Sequence, residues 1–457
     1  MNRRVRLALL SLASILCIAL APRTTIAAFA PDTLTDSTWT ARWKLANGLD
    51  VSVRDIPGCP AVAMVMAFRA GRDLDPKGRE GLADLAAEVY FTGPTGVAPE
   101  RTRKDLDSIR PLGWNLQVTP RFSLIAEVAR KEQFPAVLRE MAARLAGVTV
   151  TDSLMAHARR TVNAEQAQKY LVQPDLTLYN RLRDVALGLG DAALLQRVSG
   201  RATASVTAAE MHGRLKTLYV PANATLALAG DFAGVDLPAL MRNLFGAIPA
   251  GAEAAEPPPP HLTATKRVIP RPGLAAPLGV AGVIAPAITD SLSPDFYMNC
   301  LLIGHYCEDR WGPAQPPIVT RFKYSIFADP QLAQFFPPVR TDENDADQLG
   351  VGLQDGIEIL ATTIIEPRTY HEIRVNHQWV LGGPLSPGLV QRCREHPGTL
   401  FTIANTLAVR ALWGDAAFWK RYLDRFMSPS ITGGGTWTAY FQSPDNIVRM
   451  LLVPAKR

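Results

Sequence analysis

Asp84, Ala87 and Glu88 sit within Gly81-Leu82-Ala83-Asp84-Leu85-Ala86-Ala87-Glu88-Val89-Tyr90-Phe91-Thr92-Gly93 at a spacing that could do chemistry. Residues four apart on a helix share a face, so Asp84 and Glu88 project together. Two metal ligands at that spacing, with a proton acceptor beside the second, can bind a divalent ion and activate water on it. With histidines as ligands and glutamate as base, this is the inverted zinc-peptidase signature H-x-x-E-H. Here the five positions read Asp-Leu-Ala-Ala-Glu. Alanine accepts no proton, so the step that makes the nucleophile loses its base. Carboxylates in place of imidazoles suit Ca²⁺, Mg²⁺ or Mn²⁺ better than zinc. Without a cation the two carboxylates repel if both point inward. The residues alone therefore favour a solvated face, paired to nearby Lys or Arg, over a metal bound by carboxylates.

The elements that would position this helix are legible around it. Trp43 to Val53 reads as a hairpin turning at Asn47-Gly48, and Ala61–Phe68 as a buried strand. A glycine-containing loop, Gly71 to Gly78, leads into a helix from about Leu82 to Tyr90. Further helices are expected at Lys104–Leu112, Lys131–Leu145, Asp152–Val172 and Ala208–Tyr219, and strands at Leu124–Val128 and Ala224–Ala229. The composition breaks at Gly251 to Glu256 and the four prolines Pro257 to Pro260, a semi-rigid spacer. Beyond it come a strand at Leu278–Ile284 and a helix from about Pro294 to His305. Helices near Asp347–Thr362, Tyr370–Val380, Thr399–Trp413 and Asp415–Phe426 follow, then a last strand at Ile447–Val453. The interleaving suggests α/β or α+β layers, and the shared element order of the two halves suggests an internal structural repeat.

The segments flanking the helix carry a family resemblance. Upstream, "LANGLDVSV" and "AFRAGRDLDPKGREGLA" closely resemble the start of the pitrilysin/insulinase metallopeptidase family, where G-L-A leads directly into H-x-x-E-H. Downstream, "YFTGPTG" and "YVPANATLALAGDF" resemble that family's aromatic exit and its Y-x-P-x-N strand with G-D. "SPDFYMNCLL" and "TLFTIANTLAVRALWGDAAFW" are similar in kind. The resemblance implies an α+β fold of two homologous-looking domains, each a mixed β-sheet packed with helices. The implied organisation is a signal peptide at 1–28, an N-terminal domain at 38–250, a Pro-rich linker at 251–272 and a C-terminal domain at 273–457. It also implies a third ligand position, the last residue of an E-x(6)-E spacing, occupied here by Glu165, with Ala158 in place of the supporting Glu. The degenerate metal positions are then Asp84, Glu88 and Glu165, and the general-base position is Ala87. Substrate contacts in the family's second half point to Arg321 and Tyr324, against the plainer reading of an ordinary exposed pair.

The remaining sequence narrows the choices. The chain has 457 residues, 47% of them hydrophobic and 20% charged, enough for two or three domains with their own cores. Arg3, Arg4 and Arg6 precede an apolar run from Leu7 to Ala21 and then small residues, the layout of a secretory signal peptide cleaved near Ala27 or Ala28. That run is short for a membrane span. Removing residues 1 to 27 takes four arginines and no acid, which lowers the formal charge from +6 to +2 and leaves no basic patch suited to nucleic acid. Cys59, Cys300, Cys307 and Cys393 are expected as buried thiols. His371 and His377 only superficially resemble H-E-x-x-H, since a separation of six residues puts them about 240° apart on a helix. His305 and Cys307 read as residues near a capped helix end, and Gly433-Gly434-Gly435 as a flexible turn without the Lys-Ser/Thr of a phosphate loop.

Together these features describe an exported, periplasmic or secreted member that is not expected to act as a peptidase on its own or to hold zinc. It would pair with a homologous active subunit and help enclose an extended peptide. The alternatives are a stand-alone peptide-binding or assembly protein, and a variant enzyme with a hard metal on Asp84, Glu88 and Glu165.

Overall fold

The structure is a computed structural model describing residues 39–96, 112–172, 174–189, 199–254, 261–271, 273–312, 321–327, 329–339, 353, 367–428 and 435–455. The signal peptide expected at 1–28, the prolines 257 to 260, Gly433 and Gly434, and nearly all of the helices expected at Lys104–Leu112 and Asp347–Thr362 lie outside the described residues.

The apolar run Ala61–Phe68 forms strand β3, buried along its whole length, as expected of a strand covered on both faces. Around it lie β1 (Trp39–Lys44), β2 (Asp50–Asp55), β4 (Trp114–Val118), β5 (Ser123–Arg130) and β6 (Ala224–Gly230), in the order β1-β2-β6-β3-β5-β4. β2 runs parallel to β6, and all other neighbours are antiparallel. The helices of the first half are α1 (Leu82–Thr92), α2 (Phe134–Ala146), α3 (Asp152–Val172), α4 (Pro174–Ala186), α5 (Ala208–Leu218) and α6 (Leu237–Phe245). The termini carry the expected chemistry. Thr207 and Glu210 close a capping box on α5, and Asp236 caps α6.

The second sheet holds β7 (Lys266–Arg271), β8 (Leu278–Ile284), β9 (Phe322–Ser325), β10 (Asp329–Phe335) and β11 (Ile447–Pro454), in the order β7-β11-β8-β10-β9. β7 runs parallel to β11 and the rest are antiparallel. This repeats β2-β6-β3-β5-β4 strand for strand and sense for sense, so the internal repeat expected from element order is present in the topology. Its helices are α7 (Ser293–Trp311), the counterpart of α1, then α8 (Pro367–His377), α9 (Pro387–Glu395), α10 (Pro397–Trp413), α11 (Ala416–Met427) and α12 (Gly435–Gln442). The core of this unit joins Leu178 and Leu182 of α4 to Val280, Leu332, Val448, Met450 and Leu452. The α+β fold of two domains, each a mixed sheet with helices, is thus what the chain adopts.

The two compact units interleave in sequence. Among the described residues, one draws on the ranges 39–162, 202–254 and 379–419, the other on 163–201, 261–378 and 420–455. The first unit therefore includes α10, which lies across β3, β6 and β2. Strand alternation explains how. Val62, Met64, Met66 and Phe68 of β3 face the core that contains α1, leaving Ala61, Ala63, Val65 and Ala67 for the other face. Leu226 and Leu228 of β6 likewise join that core and leave Ala227 and Ala229 opposite. Alanine on the sheet lets a helix rich in small residues, such as Ala404, Ala408 and Ala411, approach closely.

No described helix is long and apolar enough to cross a membrane. Cys59, Cys300, Cys307 and Cys393 are buried thiols, as expected. Overpacking the α10 seat tests this arrangement. Ala63→Leu should lower stability by roughly 1–3 kcal/mol, read as a lower urea midpoint at unchanged slope. An unchanged midpoint would mean the seat is not close-packed.

Candidate functional site

The loop before α1 is fixed by backbone contact before any side chain acts. Gly71, Arg72 and Asp73 donate their N–H groups to the carbonyls of Arg121, Thr119 and Pro120 in the β4–β5 turn. Gly71 lies so close that a Cβ there would sit 2.3 Å from the Pro120 carbonyl oxygen, which excludes any other residue. Gly81, at φ +97°, makes the left-handed turn into α1, a conformation that favours glycine. Asp75 spans the entry. Its carboxylate accepts N–H bonds from Gly81 at 2.9 Å and Ala83 at 2.8 Å, and an Nη2 bond from Arg214 at 3.1 Å. Burial pushes the Asp75 carboxyl up to about 7, against the pull of Arg214 and the two amides and with a smaller push from Asp84.

Every residue of α1 from Leu82 to Phe91 is buried. The solvated face expected for Asp84 and Glu88 does not exist: Asp84 is 9% exposed and Glu88 1%. The pairing half of that expectation holds for Asp84, through a residue not singled out in the sequence. Arg72 clamps its carboxylate with Nε to Oδ2 at 2.9 Å and Nη2 to Oδ1 at 2.8 Å. A bidentate guanidinium supplies the cation that makes an inward-facing carboxylate tolerable. Ala87, at the position where the resemblance implies a general base, is fully buried and packs with Ala83 against Val118 and Leu116 of β4. A second internal ion pair lies on the same side of the sheet, where Glu127 of β5 accepts from Arg144 of α2 at 2.5 Å and the Arg144 guanidinium covers the Phe91 ring. The alternation of Ser123–Arg130 was the signal available for it, since it places Glu127 on the inward face with Ile125 and Ala129.

The segments that carried the resemblance turn out to be scaffolding for this helix. Tyr90, Phe68 and Tyr219 form one aromatic cluster with centroids 4.6 to 5.2 Å apart. The Tyr219 hydroxyl bonds Ser123, whose hydroxyl donates to the Ala70 carbonyl. Asn223 donates to the carbonyls of Leu218 and Arg69. Ala158 lies in the same apolar core.

The other candidate residues fall elsewhere. Glu165 is on α3 and exposed. Among the described residues, no three His, Cys, Asp or Glu side chains come together as a group that could hold a metal. Zinc does not fit the donor set of α1, which offers no imidazole and an aspartate already clamped by Arg72. Arg321 and Tyr324 are not the ordinary exposed pair of the plainer reading. Both are buried, with Arg321 donating to the carbonyls of Gly312 and Phe336 and Tyr324 to that of Pro330. The helix carrying His305 and Cys307 does not end there but continues to Trp311, and it turns His305 outward and Cys307 inward. His371 is exposed on α8, while His377 is half-buried with its ring perpendicular to that of Tyr297.

Comparison with known proteins agrees with this geometry. A sequence model described as the peptidase M16 inactive domain matches residues 205–306. A Helicobacter pylori protease superposes with a TM-score of 0.68 at 13% identity, covering 92% of this chain and all of that one. The peptidase M16 inactive domain from Pseudomonas fluorescens gives 0.64 at 14% identity, covering 92% and 99% of the two chains. The chain has the M16 peptidase fold. Pitrilysin itself matches at a TM-score of 0.57 and 14% identity over 92% of this chain and 45% of its own, so the resemblance read from the sequence to that family is borne out. No curated protein sequence matches this chain.

Two predictions follow from the α1 environment. Arg72→Met should destabilise the fold by about 3 kcal/mol by stripping a buried carboxylate of its clamp. Adding Asp84→Asn should recover part of that loss, and equal midpoints for the single and double variants would show that the pair is not coupled. Asp75, with a folded value near 7 above an unfolded value of about 4, contributes stability that is full below pH 4 and lost as pH rises through 7. The melting temperature should accordingly fall from pH 5 to 8, and Asp75→Asn should flatten that slope.

Proposed function

We propose that this chain is a non-catalytic M16-type subunit that pairs with a homologous active zinc peptidase and contributes surface to a chamber holding an extended peptide. The observation that carries this reading is the state of α1. The segments around it that carry the family resemblance pack as its scaffold, while the expected base position is an alanine packed against β4 and the expected first ligand position is an aspartate clamped by Arg72. A site so filled has architecture without a nucleophile-generating base.

The peptide-binding part of the proposal draws on β4. It is the last strand of its sheet, next to α1, and among the described residues no strand covers its outer edge. An open edge offers backbone N–H and C=O groups to an extended segment, which then adds as a further strand. The signal-like N-terminus places the protein in an exported compartment in this reading.

A stand-alone peptide-binding or assembly protein is the second reading, since a filled α1 and an open β4 edge would serve that role equally well. Co-purification from the native host separates the two. The expected result is a complex with a homologue bearing an intact H-x-x-E-H that cleaves extended peptides, while this chain alone does not. Peptide cleavage by the purified chain alone would overturn the proposal, and a partner without that motif, or none, would favour the second reading.

A further inference from the structure

The turn between β2 and β3, Ile56-Pro57-Gly58-Cys59-Pro60, is fixed from one side by the first sheet and touched from the other by α9. The Ile56 N–H donates to the Gly230 carbonyl, and the Gly58 N–H donates to the Asp231 carboxylate at 2.9 Å. From α9, Arg394 donates through Nε to the Pro57 carbonyl at 2.9 Å. A Cβ on Gly58 would sit 3.4 Å from that Nε, so the turn lies directly against the guanidinium. The residues just before Cys59 are therefore in contact with the residue just after Cys393.

Both cysteines at this contact are buried. Cys393 is the one residue of α9 that is, while Leu389 and Val390 of the same helix are half-buried, so the deepest anchor of α9 is a thiol. Burial pushes Cys59 up to about 11, against the pull of Arg394 and with smaller pushes from Asp231 and Asp55. Burial likewise pushes Cys393 up to about 12, and the next contribution is the charge of Cys59, so the two groups sense each other. Both are neutral at pH 7, and a neutral thiol is a poor nucleophile, so any reaction belongs to folding or to transient opening of α9. Cys300 and Cys307 offer no such pair. They lie seven residues apart on α7, roughly 10 Å along its axis, beyond the reach of a disulfide.

We propose that Cys59 and Cys393 are a disulfide-forming pair that locks α9 onto the β2–β3 turn. The oxidant is a small-molecule disulfide such as glutathione disulfide. One cysteine thiolate attacks a sulfur of that disulfide and releases one glutathione thiolate. The other cysteine thiolate then displaces the second glutathione from the mixed disulfide, so two protein thiols become one S–S bond and two glutathiones leave reduced. The bond would close a loop that takes in most of the chain, the case in which a cross-link restricts the unfolded state most. It would also hold α10, which follows α9 at Pro397, in its place across β3, β6 and β2. The pair rests on the contact between turn and helix, so it stands whether or not the peptide-chamber reading does.

The test uses the chain without the signal peptide expected at 1–28. It is equilibrated with glutathione disulfide in urea below the unfolding transition and returned to buffer, beside a sample kept in dithiothreitol. Remaining thiols are alkylated, and the chain is digested without reduction for mass spectrometry. The expected result is a peptide joining Cys59 to Cys393, with Cys300 and Cys307 alkylated. The oxidised chain should melt about 5 °C or more above its own reduced form. That difference should vanish in Cys59→Ala and in Cys393→Ala and persist in Cys300→Ala. Each variant is compared with its own reduced form, so a stability loss from the substitution itself does not enter. Alkylation of both cysteines, glutathione on either without the joined peptide, or a bond to another cysteine would overturn the pair. A joined pair that melts no higher than the reduced chain would overturn the lock.

Discussion

Helix α1 has no side that faces water, and this governs the chemistry of the first unit. With Leu82 to Phe91 all buried, any charge on the helix must find its counterion inside the fold. In a zinc peptidase of this architecture, a metal ion would be that counterion. Here a guanidinium delivered by the preceding loop takes the role for Asp84, and the loop is held by three backbone bonds to the β4–β5 turn. The helix is therefore packed as core. Ala87 fills a slot against Val118 and Leu116 in which an ionised glutamate would be expensive to bury.

The repeated sheet shows what was built twice and what diverged. β2-β6-β3-β5-β4 and β7-β11-β8-β10-β9 share every neighbour and every strand sense. The α1 counterpart, α7, also buries an aspartate held by a guanidinium, Asp295 clamped by Arg425, and adds Phe296 and Tyr297 to its core. Both halves thus bury an acid of the equivalent helix against an arginine, Asp84 against Arg72 and Asp295 against Arg425. The first sheet is also covered on its second face by α10, whose close approach depends on alanines in β3 and β6 and whose C-terminal carbonyls gather arginines.

How much of this is legible in the sequence depends on whether the determining interaction is local. β3 is readable at Ala61–Phe68 because a strand buried on both faces must be apolar throughout, and α3 at Asp152–Val172 because a long run without Pro or Gly reads as helix. The spacing of Asp84, Ala87 and Glu88 is likewise local, so their shared helix face is legible at once. Their burial is not, because it depends on residues brought in by folding, Arg72 by a loop and Val118 by an edge strand. β4, β7 and β9 escape a pattern-based reading for a related reason. They are short, and their half-exposed or mixed burial gives no clean alternation. The membership of α10 in the first unit is set by contacts more than 300 residues apart in sequence, such as Arg42 to Gly414, which no periodicity encodes.

The proposed function has Arg72 and a packed alanine standing where an active homologue would hold metal and base. Its most direct test is the metal content of the purified chain after equilibration with excess zinc and desalting, measured by elemental mass spectrometry. The expected result is well below one zinc per chain and the same value in Asp84→Ala. One zinc per chain in the parent, lost on Asp84→Ala, would contradict it.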